Sequence, residues 1–223
     1  MRTIRGAALA AFLLLASLPA AATAQGDRQF EDSWFWGAKG GMLLFSTTQV
    51  DNARAALIGG DWLITRKNSA LLVGFEQMFF NEATTVPDSR VLGGERVVTI
   101  KNMRRASFVA LAFPMDYGSR FGLVRPYGGL GLSINVISSA DAGGPPFESA
   151  SQQQMVEFQV ADESTRASVL AMVGAQAELN RFSVFGQVSM MPSRANFLLN
   201  ASATTFFEMG IRYNIGSSIG QVR

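Results

Sequence analysis

The sequence predicts an all-β chain folded as an eight-stranded antiparallel up-and-down β-barrel. Three observations carry this. Beyond the first 25 or so residues, apolar side chains alternate with polar or small ones over segments of about 9 to 17 residues, the period of a strand that shows a different chemistry on each face. Eight such segments occur, an even number that closes into a barrel without free edges. The connections between them alternate between short turns and long polar loops.

Before the strands comes a leader. Arg2 and Arg5 precede an apolar run, Ala7 to Leu15, then Pro19 and the small-x-small triplet Ala22-Thr23-Ala24. This order predicts a secretory signal peptide over residues 1–24 and a mature barrel domain over 25–223. The run is too short to span a bilayer as a helix, which takes roughly 20 residues. Removing the two arginines leaves 17 of the 19 basic residues against 17 acidic ones. The sequence pI of 9.3 therefore reflects the leader and gives no sign of nucleic-acid binding.

The predicted strands are Ser33–Ser46, Arg54–Thr65, Ala70–Phe80, Val97–Phe113, Pro126–Ile137, Arg166–Asn180, Phe182–Met191 and Thr204–Ile215. The sixth sets Ala167, Val169, Ala171, Val173, Ala175 and Ala177 against Ser168, Gly174, Gln176 and Glu178. The eighth sets Phe207, Met209, Ile211, Tyr213 and Ile215 against Glu208, Gly210 and Arg212. The fourth is irregular, because Lys101, Arg104 and Arg105 interrupt its outer half. Tight turns are expected at Arg66-Lys67-Asn68 and Asn180-Arg181, and a moderate one over Pro114–Arg125. Longer loops are expected at Asn81–Arg96, Ser138–Thr165 and Pro192–Ala203, with only Thr47–Ala53 short among the loops at that end. Val156, Phe158 and Val160 alternate within the second of these, and a strand extension is expected there.

Which face of the barrel meets solvent decides the class. A soluble barrel points its apolar residues inward; a transmembrane barrel inverts this. Charged residues are only 16% of the chain, against roughly 25% in ordinary soluble domains. Bulky groups gather on one face of the strands. The other carries glycines, few charges (Lys39, Asp61, Glu76, Glu178, Glu208 and Arg212, with Arg105 as a further candidate) and the neutral amide of Gln176, together a lumen polar network. Aromatics cluster near strand ends, with Trp34, Trp36, Trp62, Phe113, Tyr127, Phe182 and Tyr213 at one rim. Phe45, Phe79, Phe80, Phe206 and Phe207 cluster at the other. This suits two aromatic girdles at lipid interfaces. The fold expected is thus transmembrane, with short turns periplasmic and long loops external.

Two stretches carry a family resemblance. Glu208-Met209-Gly210-Ile211-Arg212-Tyr213-Asn214-Ile215 resembles the terminal assembly signal of outer-membrane barrels, with Gly210, Tyr213 and Ile215 in its characteristic places. Arg125-Pro126-Tyr127-Gly128-Gly129-Leu130-Gly131-Leu132 is similar to a strand opening of the OmpA-like and OmpW-like small barrels. The resemblance implies residence in a bacterial outer membrane, contact with its lipid and lipopolysaccharide, and insertion by the barrel assembly machinery.

The chain has no histidine and no cysteine. That removes Ser-His and Cys-His pairs, thiolate metal sites and disulfides. The enzymatic outer-membrane barrels, as families, depend on a catalytic histidine. Lys39 is the clearest lysine on the lumen face, and nothing in the pattern sets a serine beside it. No enzyme activity, cofactor or metal is expected. The carboxylates of Ser138–Thr165 (Asp141, Glu148, Glu157, Asp162 and Glu163) match no calcium-loop spacing. A lumen of eight strands is just wide enough for its own side chains, so near-balanced charges inside predict a packed polar plug. Lys39 and Glu208, on the first and last strands, are expected to form a closing pair. The function expected is a non-enzymatic envelope component whose external loops contact partners. A narrow passive channel and a soluble lipocalin-like binding barrel are the alternatives.

Overall fold

The structure is a computed structural model that describes residues 30, 32–119, 122–193, 197–199 and 202–217. The expected leader and cleavage site lie outside the described residues. Nine strands are β1 (Ser33–Phe45), β2 (Ala53–Arg66), β3 (Ser69–Pro87), β4 (Glu95–Ala112), β5 (Tyr117–Ser119), β6 (Gly122–Ala142), β7 (Thr165–Leu179), β8 (Phe182–Met191) and β9 (Thr204–Ser217). Helix α1 spans Ala150–Glu163. Every pairing is antiparallel. β1 closes on β9 and β4 on β6, so eight strands form a closed barrel, and β5 is a short hairpin partner of β6 below the rim.

Local chemistry explains the turns. Two residues join β2 to β3 and two join β7 to β8. Their first central residues, Lys67 (φ +49°) and Asn180 (φ +57°), take the left-handed backbone a tight hairpin needs, a conformation asparagine tolerates better than lysine. The two-residue turns and the β5 hairpin lie at one end. The opposite end carries the connections 46–52, 88–94, 143–164 and 192–203.

That far end differs from expectation in two ways. The segment 81–96 is mostly sheet: β3 continues to Pro87 and β4 begins at Glu95, joined by the seven residues 88–94. The alternating Val156-Phe158-Val160 lies in helix α1 and not in a strand. Gln152, Val156 and Val160, four residues apart, are its buried positions, the spacing of one helical face. Ser149 caps it by accepting from Gln152 N at 3.2 Å, while the Gln152 side chain reaches back to Glu148 N at 2.9 Å. This close relative of a capping box was written in the sequence as Ser149-x-x-Gln152.

These elements build a folded lobe above the barrel. Val86, Val98, Ile100, Ile137, Val156, Val160 and the segment Phe197–Leu199 share its buried core. Arg96, buried, donates from Nε to Asp88 Oδ2 at 2.8 Å and from Nη1 to the carbonyls of Gly143 and Pro145. Gln152 donates to both oxygens of Asp88. The Arg96 guanidinium lowers the pKa of Asp88 below the usual carboxylate range through that hydrogen bond, against the opposing effect of burial.

Candidate functional site

The lumen is filled in tiers. Nearest the tight turns is an aromatic plug. Phe30 packs against Phe35 (ring centroids 5.8 Å apart) and edge-on against Phe113 (4.9 Å), and Phe113 against Tyr127 (5.6 Å). Thr65 Oγ1 donates to the carbonyl of Phe30 and accepts from Ser33 N, fixing this corner. Arg125 lies 4.2 Å over the Phe30 ring and pairs with Glu178 at 3.0 Å and Asp116 at 3.3 Å.

The next tier centres on Arg212, wholly buried. Its guanidinium grips Asp61 through two bonds, Nε–Oδ1 at 3.0 Å and Nη2–Oδ2 at 2.9 Å, and donates to Gln176 Oε1 at 3.1 Å. Such a forked contact is the geometry arginine offers a carboxylate. The ring of Phe185 lies 3.7 Å beneath it, in space left by Gly210, where a Cβ would stand 2.9 Å from that ring.

Above it is a four-charge tier. Lys39 pairs with Glu76 and, at 3.2 Å, with Glu208. Arg105 pairs with the same two carboxylates at 2.8 Å and 2.7 Å. All four side chains are fully shielded from solvent. Gln187 ties the tiers together, accepting from Tyr127 Oη at 2.9 Å and donating to Glu208 Oε2 at 2.7 Å. Each cation faces an anion, the arrangement that desolvated charge requires. Above this tier the interior turns apolar again, with Leu43, Phe45, Leu57, Met78 and Phe206, and Arg105 stacks 3.7 Å over Phe206.

The seven polar residues expected inside, Lys39, Asp61, Glu76, Gln176, Glu178, Glu208 and Arg212, are all buried. Six of them belong to the two upper tiers. Glu178 stands apart with Arg125 near the lower mouth. Sequence periodicity missed Arg125, Phe30 and Phe185, all in the lumen, and Arg125 sits in the stretch read only as a family motif; Gln187 falls on the polar face of its strand by the same period, opposite Val184 and Val188, and is buried.

The girdle needs correction. Trp36, Phe207 and Tyr213 face outward and are exposed, and Trp34 and Trp62 face outward half-buried against each other. Tyr127 does not join them: it is 4% exposed and its hydroxyl is spent inside the lumen. Phe45, Phe80, Phe113 and Phe206 also point inward. Rim height and facing direction are separate variables, and clustering in sequence reports only the first. Gly210, Tyr213 and Ile215 lie on β9, the first facing the lumen and the other two outward.

A serine does lie near Lys39. A Cβ on Gly74 would stand 2.6 Å from Ser107 Oγ and 3.2 Å from Lys39 Nζ. Ser107 is 1% exposed and the ammonium is held by two carboxylates.

No known protein family and no curated protein matches the chain in sequence. Solved structures do resemble it. Neisserial surface protein A matches with TM-score 0.51 at 11% identity, covering 82% of this chain and 97% of that one. The outer membrane protein OprG from Pseudomonas aeruginosa matches with TM-score 0.44 at 11% identity, covering 85% and 99%. Ail, the attachment invasion locus protein of Yersinia pestis, matches with TM-score 0.36 at 10% identity, covering 82% and 97%. The fold is that of the small outer-membrane β-barrels. Among such barrels a lumen wide enough only for side chains is the rule for eight strands, and the tiers above describe how this chain fills it.

Proposed function

We propose that the chain is an integral outer-membrane barrel, a non-enzymatic envelope component with a sealed lumen and a folded external lobe that meets a partner. The carrying observation is the inverted distribution of polarity. Trp36, Ile58, Phe75, Leu130, Val173 and Met209 are exposed on the outer wall, while Lys39, Glu76, Arg105, Glu208 and Arg212 are buried within. A lipocalin-like barrel in water would lose free energy on both counts. The end with two-residue turns is periplasmic and the lobe external, in keeping with the architecture of such barrels. The leader directs export, lipid and lipopolysaccharide surround the wall, and the segment with Gly210, Tyr213 and Ile215 is the mark read by the assembly machinery. Leu92, at the β3–β4 tip, and Met155 and Phe158 on α1 are exposed apolar groups on the lobe, which supports contact with a partner there.

The two ion tiers and the aromatic plug weigh against the passive-channel alternative, since a permeating solute would have to break five buried ion pairs. The test is in two steps. Heat-modifiable gel mobility and a need for detergent are expected of the purified chain; a barrel stable in plain buffer would overturn the membrane reading. In planar bilayers the inserted barrel is expected to pass no steady current, and stable unitary conductance would reinstate the channel.

A further inference from the structure

A charged side chain faces outward high on the β4 wall. Arg104 points outward beside the inward Arg105. Counted from Ala112 at the lower rim, it stands eight residues up β4, roughly 20 Å at the usual rise and tilt. That is close to the upper edge of an apolar band about 25 Å tall. Its Nε donates to Gln77 Oε1 at 3.1 Å. The Gln77 amide is in turn pinned, donating to the carbonyls of Met78 at 3.0 Å and Met103 at 3.3 Å. Among the described residues no carboxylate pairs with Arg104. The guanidinium is thus oriented through one edge by a neutral group, and its other nitrogens are left for an acceptor. Beneath it the outer wall is hollowed into a groove of about 780 Å³, with Ile58, Phe75, Ile134 and Val136 along its sides and Ala106 in its floor. An apolar trough of this size suits a hydrocarbon chain, and a guanidinium at its upper end suits a phosphate.

We propose that this groove holds lipid A, the phosphorylated anchor of lipopolysaccharide, with an acyl chain in the trough and a phosphate on Arg104. The inference rests on the outer-membrane reading, because only there does the upper leaflet present that lipid. Charge and height commit the site to an upper-leaflet anionic lipid. Lys101, also outward on β4 and paired loosely with Asp141 at 3.7 Å, offers a second cation just above, which favours a headgroup with two phosphates over one with a single phosphate.

The experiment uses the full mature barrel in phosphatidylcholine nanodiscs doped with hexa-acylated, bis-phosphorylated lipid A, with its dephosphorylated form, or with phosphatidylglycerol. Native mass spectrometry after delipidation counts retained lipid. Wild type is expected to retain one lipid A, and Arg104→Gln to lower that retention about tenfold, the loss of one charge-assisted contact. Ala106→Phe, which fills the trough, is expected to do the same, while Val173→Phe on another wall leaves retention unchanged. Dephosphorylated lipid A and phosphatidylglycerol are expected to wash off. Retention of lipid A by Arg104→Gln at the wild-type level, or equal retention of phosphatidylglycerol, overturns the proposal. Should a variant fold poorly, the comparison of the two lipid A forms on wild type still decides. A barrel that never enters the nanodisc refutes the membrane reading itself, an outcome distinct from insertion without lipid retention.

Discussion

Replacing Arg105 by methionine would leave two buried carboxylates facing one ammonium. In the folded barrel Arg105 holds Glu76 at 2.8 Å and Glu208 at 2.7 Å, with no solvent access to any of the side chains. Its removal deletes two charge-assisted bonds and leaves an uncompensated negative charge in a dry lumen. Breaking a buried pair in this way costs about 3–5 kcal/mol, a large share of the roughly 5–15 kcal/mol that holds an ordinary domain together. Adding Glu208→Gln to the same chain removes the excess charge and keeps the Lys39–Glu76 pair. The double variant is therefore expected to recover up to about 3 kcal/mol relative to the sum of the single changes. Urea unfolding in lipid vesicles, followed by the fluorescence of Trp34, Trp36 and Trp62, gives each free energy by linear extrapolation. Additivity within about 0.5 kcal/mol, or a single-variant cost below about 1 kcal/mol, would refute the idea that these four charges act as one balanced unit.

Three further outcomes are expected. Val173→Arg puts a cation on the exposed mid-wall of β7 and should cost roughly 2–4 kcal/mol in the same vesicle assay, whereas a soluble barrel would tolerate it. Cysteine placed at Leu92 should react with an impermeant thiol reagent on intact cells and cysteine at Lys67 should not; Leu92 serves better than Gly144, whose φ of +95° penalises any side chain. Because the pKa of Asp88 is lowered in the folded lobe, its contribution to stability is fully present above the ordinary carboxylate range, near 3.9, and is lost as pH falls through the lower folded value. Amide exchange of α1 should therefore accelerate only on acidification into that range, and Asp88→Asn should remove the acid dependence while raising exchange at neutral pH.

The barrel was legible because a strand in it has only two environments, and a period of two reports them directly. All seven polar residues assigned to the lumen by that period face inward. The lobe at the long-loop end was not legible by the same rule. There, β3 and β4 rise beyond the wall and α1 packs against β6, β3 and β7, so a residue can be buried by neighbours far along the chain. The helix was still signalled locally, by Ser149 and Gln152 at capping distance and by buried positions every fourth residue. The alternation of Val156, Phe158 and Val160 misled because a short apolar run fits both periods.

The tandem arginines show why periodicity alone could not finish the site. Arg104 and Arg105 are neighbours, so strand geometry must send one out and one in, and the sequence does not say which. The answer is set two residues away. The β3–β4 register shifts between Met78 and Asn81, opposite Asn102, whose φ is +57°, a conformation asparagine visits more readily than most residues. Below the irregularity the inward residues of β4 are Met103, Arg105 and Ser107; above it they are Arg96, Val98 and Ile100. A phase carried down from the regular upper half of β4 would have put Arg104 into the four-charge tier and Arg105 into lipid. With the shift, Arg105 meets Glu76 and Glu208, and Arg104 is left beside Gln77 at the head of the groove. One asparagine thus separates the charge that seals the lumen from the charge that faces the membrane.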